Sequence, residues 1–234
     1  MPRETATPCT GKGRRERQGR CILMINLNRM KIDRQEAFDI IVSVLAIALV
    51  FTFKKIGLNL DQGPFIFYMA AAIITLGSGF LLHELSHKYY AIKYGARARF
   101  VAWPAGLALA LAMVVVPQII WGPGAGIFFI APGAVYIYAM RPISIKENGI
   151  ISLAGPVTNI ALAALFLLFS LIVFDNVQLM EIASIGFGIN ILLAWFNLIP
   201  IFPLDGSKVL AWNFNVWLLF FGPLTLLVLS MGVV

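Results

Sequence analysis

Charge is scarce in this chain: 12% of its 234 residues are Asp, Glu, Lys or Arg, against 60% hydrophobic. That balance excludes an ordinary soluble domain and implies a polytopic membrane protein. Cysteine is nearly absent, and Cys9 and Cys21 both lie in the polar amino-terminal segment at a spacing that suits neither a zinc ribbon nor a disulfide framework. That segment also lacks an apolar stretch of signal-peptide length, so it is not expected to be a cleavable secretion signal. The net charge of +7 is not laid out as basic residues interleaved with aromatics, so nucleic acid is not an expected partner. No internal repeat is evident, which argues against a metal-ion transporter built from two halves.

What the chain does have is apolar runs. After a basic tail, residues 1–34, expected to be disordered and cytoplasmic, a single membrane domain is expected over 35–234. Met24 and Met30 offer alternative starts within the tail. Ala37 to Phe53 is a first, rather short hydrophobic segment, and charge-free runs are Phe65 to Leu82, Val101 to Met140, Gly149 to Phe174, Ile182 to Leu204 and Val209 to Val234. An all-α polytopic fold of about six or more transmembrane helices follows, the last three runs each long enough to cross roughly 30 Å of hydrocarbon at about 1.5 Å per residue.

Nine basic residues precede the first run, and Lys88, Lys93, Arg97 and Arg99 follow the second. The positive-inside rule then puts both groups in the cytoplasm. Arg141 and Lys146 return the chain to that side, so Val101 to Met140 must cross an even number of times, as a helical pair or as a re-entrant element or short β-hairpin. Asp175 to Glu181 forms an external loop, and Asp205 arrives on the cytoplasmic side of a multi-pass protein of the cell membrane.

Both histidines of the chain lie in His83-Glu84-Leu85-Ser86-His87, at the end of the second run. At helical spacing His83 and His87 share one face and can reach one tetrahedral metal, while Glu84, rotated by about 100°, can address a water on it. A catalytic zinc takes three protein ligands and keeps an open position. No third histidine exists, and the only acidic side chains embedded in apolar sequence are Glu84 and Asp205, each of which must be paired or metal-bound to be tolerated there. Asp205 could alternatively cap the helix starting near Gly206.

These residues resemble the site-2 protease family of intramembrane zinc metalloproteases. The first motif is similar to that family's H-E-x-x-H helix. Asn197-Leu198-Ile199-Pro200-Ile201-Phe202-Pro203-Leu204-Asp205-Gly206 is similar to its second, whose aspartate is the third zinc ligand. Ala154-Gly155-Pro156-Val157-Thr158-Asn159 resembles the helix start between them, and Ala131-Pro132-Gly133-Ala134-Val135 its short Pro-Gly hairpin. Relatives often carry glycine at the place of Ser86, and the apolar stretch Val101 to Ile120 is an insertion.

The resemblance implies one Zn²⁺ held by His83, His87 and Asp205, Glu84 as general base, and cleavage of peptide bonds within or next to transmembrane segments of a substrate protein in the bilayer. It places Pro132 and Gly133 beside the unwound substrate, with Gly126 to Tyr138 as the candidate hairpin; the alternative for that stretch is half of a lipid-facing helical pair. Asn197 would hold substrate backbone or donate to an oxyanion, or else make a plain interhelical hydrogen bond. A prenyl-protein-type zinc protease would need a further intramembrane glutamate, which is lacking.

The charge pattern predicts that single cysteines near Arg97, Arg141 and Lys208 label from the cytoplasm and those near Asp61 and Asn176 from outside. Labelling of Arg97 and Lys208 from opposite faces would break the topology.

Overall fold

The structure, a computed structural model, describes residues 32–58, 60–126, 133–139 and 141–231. The expected tail therefore lies outside the described residues but for its last three positions, as does Pro132. Helix α1 (Arg34–Ile56) starts where the Asp33 carboxylate accepts the Glu36 amide at 2.8 Å and stops at Gly57, whose φ of +76° suits glycine. Helices α2 (Gln62–Ala72) and α3 (Ser78–Lys93) form one continuous 32-residue span through a π-helical turn, Ile73–Gly77. Within that turn Gly77 lets α1 approach closely: a Cβ there would sit 2.8 Å from Val44 Cγ1.

Strand β1 (Ala96–Ala102) leads through Trp103 into α4 (Pro104–Trp121), with proline in the first turn where its missing N–H costs nothing. Strand β2 (Gly133–Ala139) returns antiparallel to β1, pairing Ala102 with Gly133 and Ala96 with Ala139. Helix α5 (Ile145–Ile172) opens with a capping box of Ser144 and Glu147, and α6 (Val177–Asn197) is capped by Asn176. Two shorter helices follow, α7 (Asp205–Trp212) and α8 (Phe214–Ser230).

Among the described residues five helical spans are long and apolar enough to cross a membrane, and α8 is a shorter apolar helix. Leu165, Leu168, Leu171 and Ile172 of α5 are more than half exposed, as suits a surface whose solvent is lipid. One apolar core joins Ile40 and Ile47 of α1, Leu76, Phe80, Phe100, Leu107 and Ile189. A second joins α5 and α6 to α7 and α8 through Ala163, Ala194, Leu198, Val209 and Val228.

Three readings of the sequence change. Val209 to Val234 is not one helix: Asn213 is extended and its side chain accepts the Val216 amide at 3.1 Å, which ends α7 and starts α8. Of the expected hairpin Gly126 to Tyr138, residues 127–132 lie outside the described residues, and the described strand β2 takes β1 as its partner, with α4 between them in the chain. The chain still leaves and rejoins one level, with a single helix as the outward leg. Lys88 is not a solvated marker of topology: it is 2% exposed, and its ammonium donates to both Glu36 oxygens at 2.6 and 2.7 Å. Glu36 also accepts the Phe100 amide at 3.1 Å, so this carboxylate ties α1, α3 and β1 together.

Removing one partner of a buried ion pair leaves an uncompensated charge, at a cost of about 3–5 kcal/mol. Lys88→Met is expected to lower the thermal unfolding midpoint in detergent markedly, and Glu36→Leu/Lys88→Met to recover most of it. Equal midpoints for wild type and Lys88→Met would show that the pair contributes nothing.

Candidate metal centre

Helix α3 turns His83 and His87 inward, 5% and 7% exposed, toward α5. The protonation of both rings follows from their partners. Gly186 O can only accept, so Asn190 Nδ2 donates to it at 2.9 Å and Asn190 presents Oδ1. Asn159 Nδ2 therefore donates to that Oδ1 at 2.9 Å, and to Gly79 O at 3.2 Å, which leaves Asn159 Oδ1 facing His83 Nδ1 at 2.5 Å. His83 must carry its proton on Nδ1. His87 Nδ1 lies 2.8 Å from the Ile151 carbonyl and carries its proton there for the same reason.

In the neutral rings Nε2 is then the atom that keeps a lone pair for a metal, and the two lie 3.0 Å apart. Asp205 Oδ2 completes the triangle at 3.0 Å from His87 Nε2 and 3.5 Å from His83 Nε2. Three lone-pair atoms at these distances repel unless a proton or a metal cation lies among them. The edge of a tetrahedral site with bonds of about 2.0–2.1 Å is about 3.3 Å, so the donor set fits a divalent metal. Each imidazole also has the outer hydrogen bond that orients metal-binding histidines.

Two glycines make the approach possible. Gly155 of α5 lies directly against the imidazoles: a Cβ there would be 2.6 Å from each Nε2. Gly206 follows Asp205 where a Cβ would meet Leu198 O at 2.0 Å, so only glycine allows the chain to turn from α6 into α7 with the carboxylate facing α3. Asp205 is the first residue of α7 rather than its N-cap, which is Leu204.

The trio and Glu84 line a cavity of about 1110 Å³. Glu84 forms no hydrogen bond among the described residues and reaches this space from the helix that carries both imidazoles. Gly133 and the following β2 residues, Asn197 and Lys208 also line it. Asn197 Nδ2 donates one N–H to Leu193 O at 2.9 Å, which leaves Oδ1, an acceptor, and the second N–H to offer. Asn190 and Gly79 were not singled out from sequence. An asparagine inside an apolar run was the available signal for Asn190, but nothing local tells which helix it faces.

A membrane-embedded bundle with a buried His-His-Asp centre is the class that fold and site define. The chain is similar to the Putative zinc metalloprotease MJ0611 of Methanocaldococcus jannaschii, 42% identical over 187 residues that cover 80% of this chain and 89% of that protein. It is also similar to the Putative zinc metalloprotease YwhC of Bacillus subtilis, 30% identical over 61% of this chain and 68% of that one. Zinc metalloprotease MJ0392 of M. jannaschii is 26% identical over 69% of this chain and 39% of its own length. No protein-family model and no solved structure matches the chain. The chain belongs to the family that the first of these zinc metalloproteases represents.

Gly155→Ala is expected to abolish stoichiometric metal binding, as is Asp205→Ala. Asn159→Leu is expected to weaken binding by about 10–100-fold, the usual effect of losing an outer partner of a ligand. Ser86→Ala, whose hydroxyl bonds Leu82 O and Thr158 instead, should keep the metal. Metal-to-protein ratios after dialysis against a graded chelator series decide this, and full retention by Gly155→Ala would contradict the assigned centre.

Proposed function

We propose that the chain is an intramembrane zinc metalloprotease of the site-2 protease type, hydrolysing peptide bonds within or next to transmembrane segments of other membrane proteins. The observation that carries this reading is that membrane-length helices supply the imidazole pair to a cavity whose wall is also formed by strand β2. His83, His87 and Asp205 would hold one zinc, which when bound supplies Lewis-acid polarisation and acidifies water.

The remaining roles belong to the chain's own groups. Glu84 accepts the proton of the attacking water and later passes it to the leaving amine. A substrate helix hides its carbonyls in its own hydrogen bonds and must unwind first. Among the described residues β2 is paired on one edge only, so the unwound segment can add to the other and recover those bonds. Asn197 Oδ1 is suited to accept a substrate backbone N–H.

The two levels of the bundle support a cytoplasmic site. Lys55, Tyr68 and Glu181 meet at one end, Tyr68 donating to Glu181 at 2.6 Å, while Arg99 approaches Asp33 at 3.6 Å near the other, where the basic residues gather.

In proteoliposomes with a single-span substrate, Glu84→Gln is expected to keep its zinc and lose cleavage. Replacing a substrate glycine near the cut by leucine should slow the wild type about fivefold, since opening the helix then costs about 1 kcal/mol more. Near-normal turnover by Glu84→Gln, or equal rates across the substrate series, would overturn the mechanism.

A further inference from the structure

Peptide hydrolysis puts negative charge on the carbonyl oxygen of the scissile bond, and a preorganised cation or donor at that position is commonly the largest single contribution to rate. A bound zinc would supply one such cation, but none of the side chains so far assigned adds a second. Glu84 and Asp205 are acidic, and both nitrogens of each histidine are committed. Of the other cavity-lining groups, Lys54 donates to Gly124 O and Gly126 O at 2.6 and 2.8 Å. Asn197 Nδ2 gives one N–H to Leu193 O and keeps a second, but the amide is neutral. Trp195 Nε1 donates to Thr225 Oγ1 at 3.0 Å.

Lys208 stands apart. It lies one turn beyond Asp205 in α7, lines the cavity with about a third of its side chain exposed, and holds Nζ 3.5 Å from Asp205 Oδ1. The other carboxylate oxygen, Oδ2, is the one that faces the imidazoles. At 3.5 Å this is an ion pair longer than a good N–H···O hydrogen bond, so the three N–H donors of the ammonium are not locked into it. A positive charge with donors to spare thus stands beside a ligand of the metal centre and faces the space a substrate would fill. Trp103, Tyr136, Asn148 and Ser152 also line that space, but their donors are neutral.

We propose that Lys208 is the oxyanion-stabilising residue of this site. As the water oxygen bonds to the carbonyl carbon and its proton goes to Glu84, the C=O π pair moves onto the carbonyl oxygen, where the Lys208 ammonium stabilises the charge. When the carbonyl re-forms, the C–N bond breaks, the amine nitrogen takes the proton from Glu84, and Lys208 is released from its charge partner. This assignment rests on the proteolytic reading of the same site.

The test compares two probes on zinc-loaded protein in detergent: an alanine-flanked Gly-Leu phosphinic pseudopeptide, anionic at the position of the scissile carbonyl, and its neutral ketomethylene counterpart. Lys208→Met is expected to weaken phosphinate binding at least about tenfold and ketomethylene binding less than about twofold, and to lower kcat at least about tenfold on a cleaved substrate. Its KM and zinc content should stay unchanged, and Lys208→Arg should restore most of the loss. Undiminished phosphinate preference in Lys208→Met overturns the assignment. So does loss of zinc in that variant, which would make Lys208 a positioning residue acting through Asp205, or transfer of the effect to Asn148→Ala or Ser152→Ala. If wild type cleaves no membrane substrate yet its phosphinate preference depends on Lys208, the membrane-substrate reading fails while this assignment stands.

Discussion

One amide stands between the metal-facing imidazole of His83 and the rest of the bundle. Asn159 accepts from His83 Nδ1 and donates to Gly79 O and Asn190 Oδ1, and Asn190 in turn donates to Gly186 O. Because the last acceptor is a carbonyl, the direction of every bond in the chain is determined, and with it the tautomer that leaves His83 Nε2 bare. All of these groups are buried where water cannot substitute, so a broken link would leave an unsatisfied polar atom in apolar surroundings. The same network joins α3, α5 and α6 at one depth, which is the depth at which Asp205 meets the imidazoles.

Close approach is the second condition. Gly79 faces Asn190, Gly155 faces both imidazoles, and Gly206 faces the end of α6, each at a distance that a methyl group would occupy. Small residues at helix contacts are the usual means of tight association in membranes, where apolar burial gives no driving force between helices. Here the space they leave is filled by polar side chains, so the glycines serve the centre as much as the packing.

Strands β1 and β2 give the cavity one wall. Strand β1 is held against α1 by the Phe100 amide on Glu36 and against α3 by the edge-on contact of Phe100 with Phe80, ring centroids 5.4 Å apart. Strand β2 pairs with β1, packs Val135 and Ile137 beside Ala91 and Ile151, and lines the cavity from Gly133 to Ile137. Lys54, at the far end of α1, holds the chain just after α4 through Gly124 O and Gly126 O. The insertion is thus fastened to α1 at both levels.

Much of this was legible in residue order. Apolar runs marked the spans, and the four-residue spacing of His83 and His87 placed them on one helix face, because these are consequences of local periodicity and of the 3.6-residue turn. Pairings across the chain were not. Lys88 looked like a solvated charge until Glu36, 52 residues earlier, was seen to accept it. The partner of β2 lay beyond a whole helix, and Asn213 broke a run that hydropathy alone joined. By itself the sequence determined that this is a membrane protein carrying a histidine pair and an intramembrane aspartate. The tertiary structure decided that Asp205 Oδ2 meets both Nε2 atoms and that Asn197, Lys208 and β2 line the same cavity as the trio, because each depends on which helix faces which.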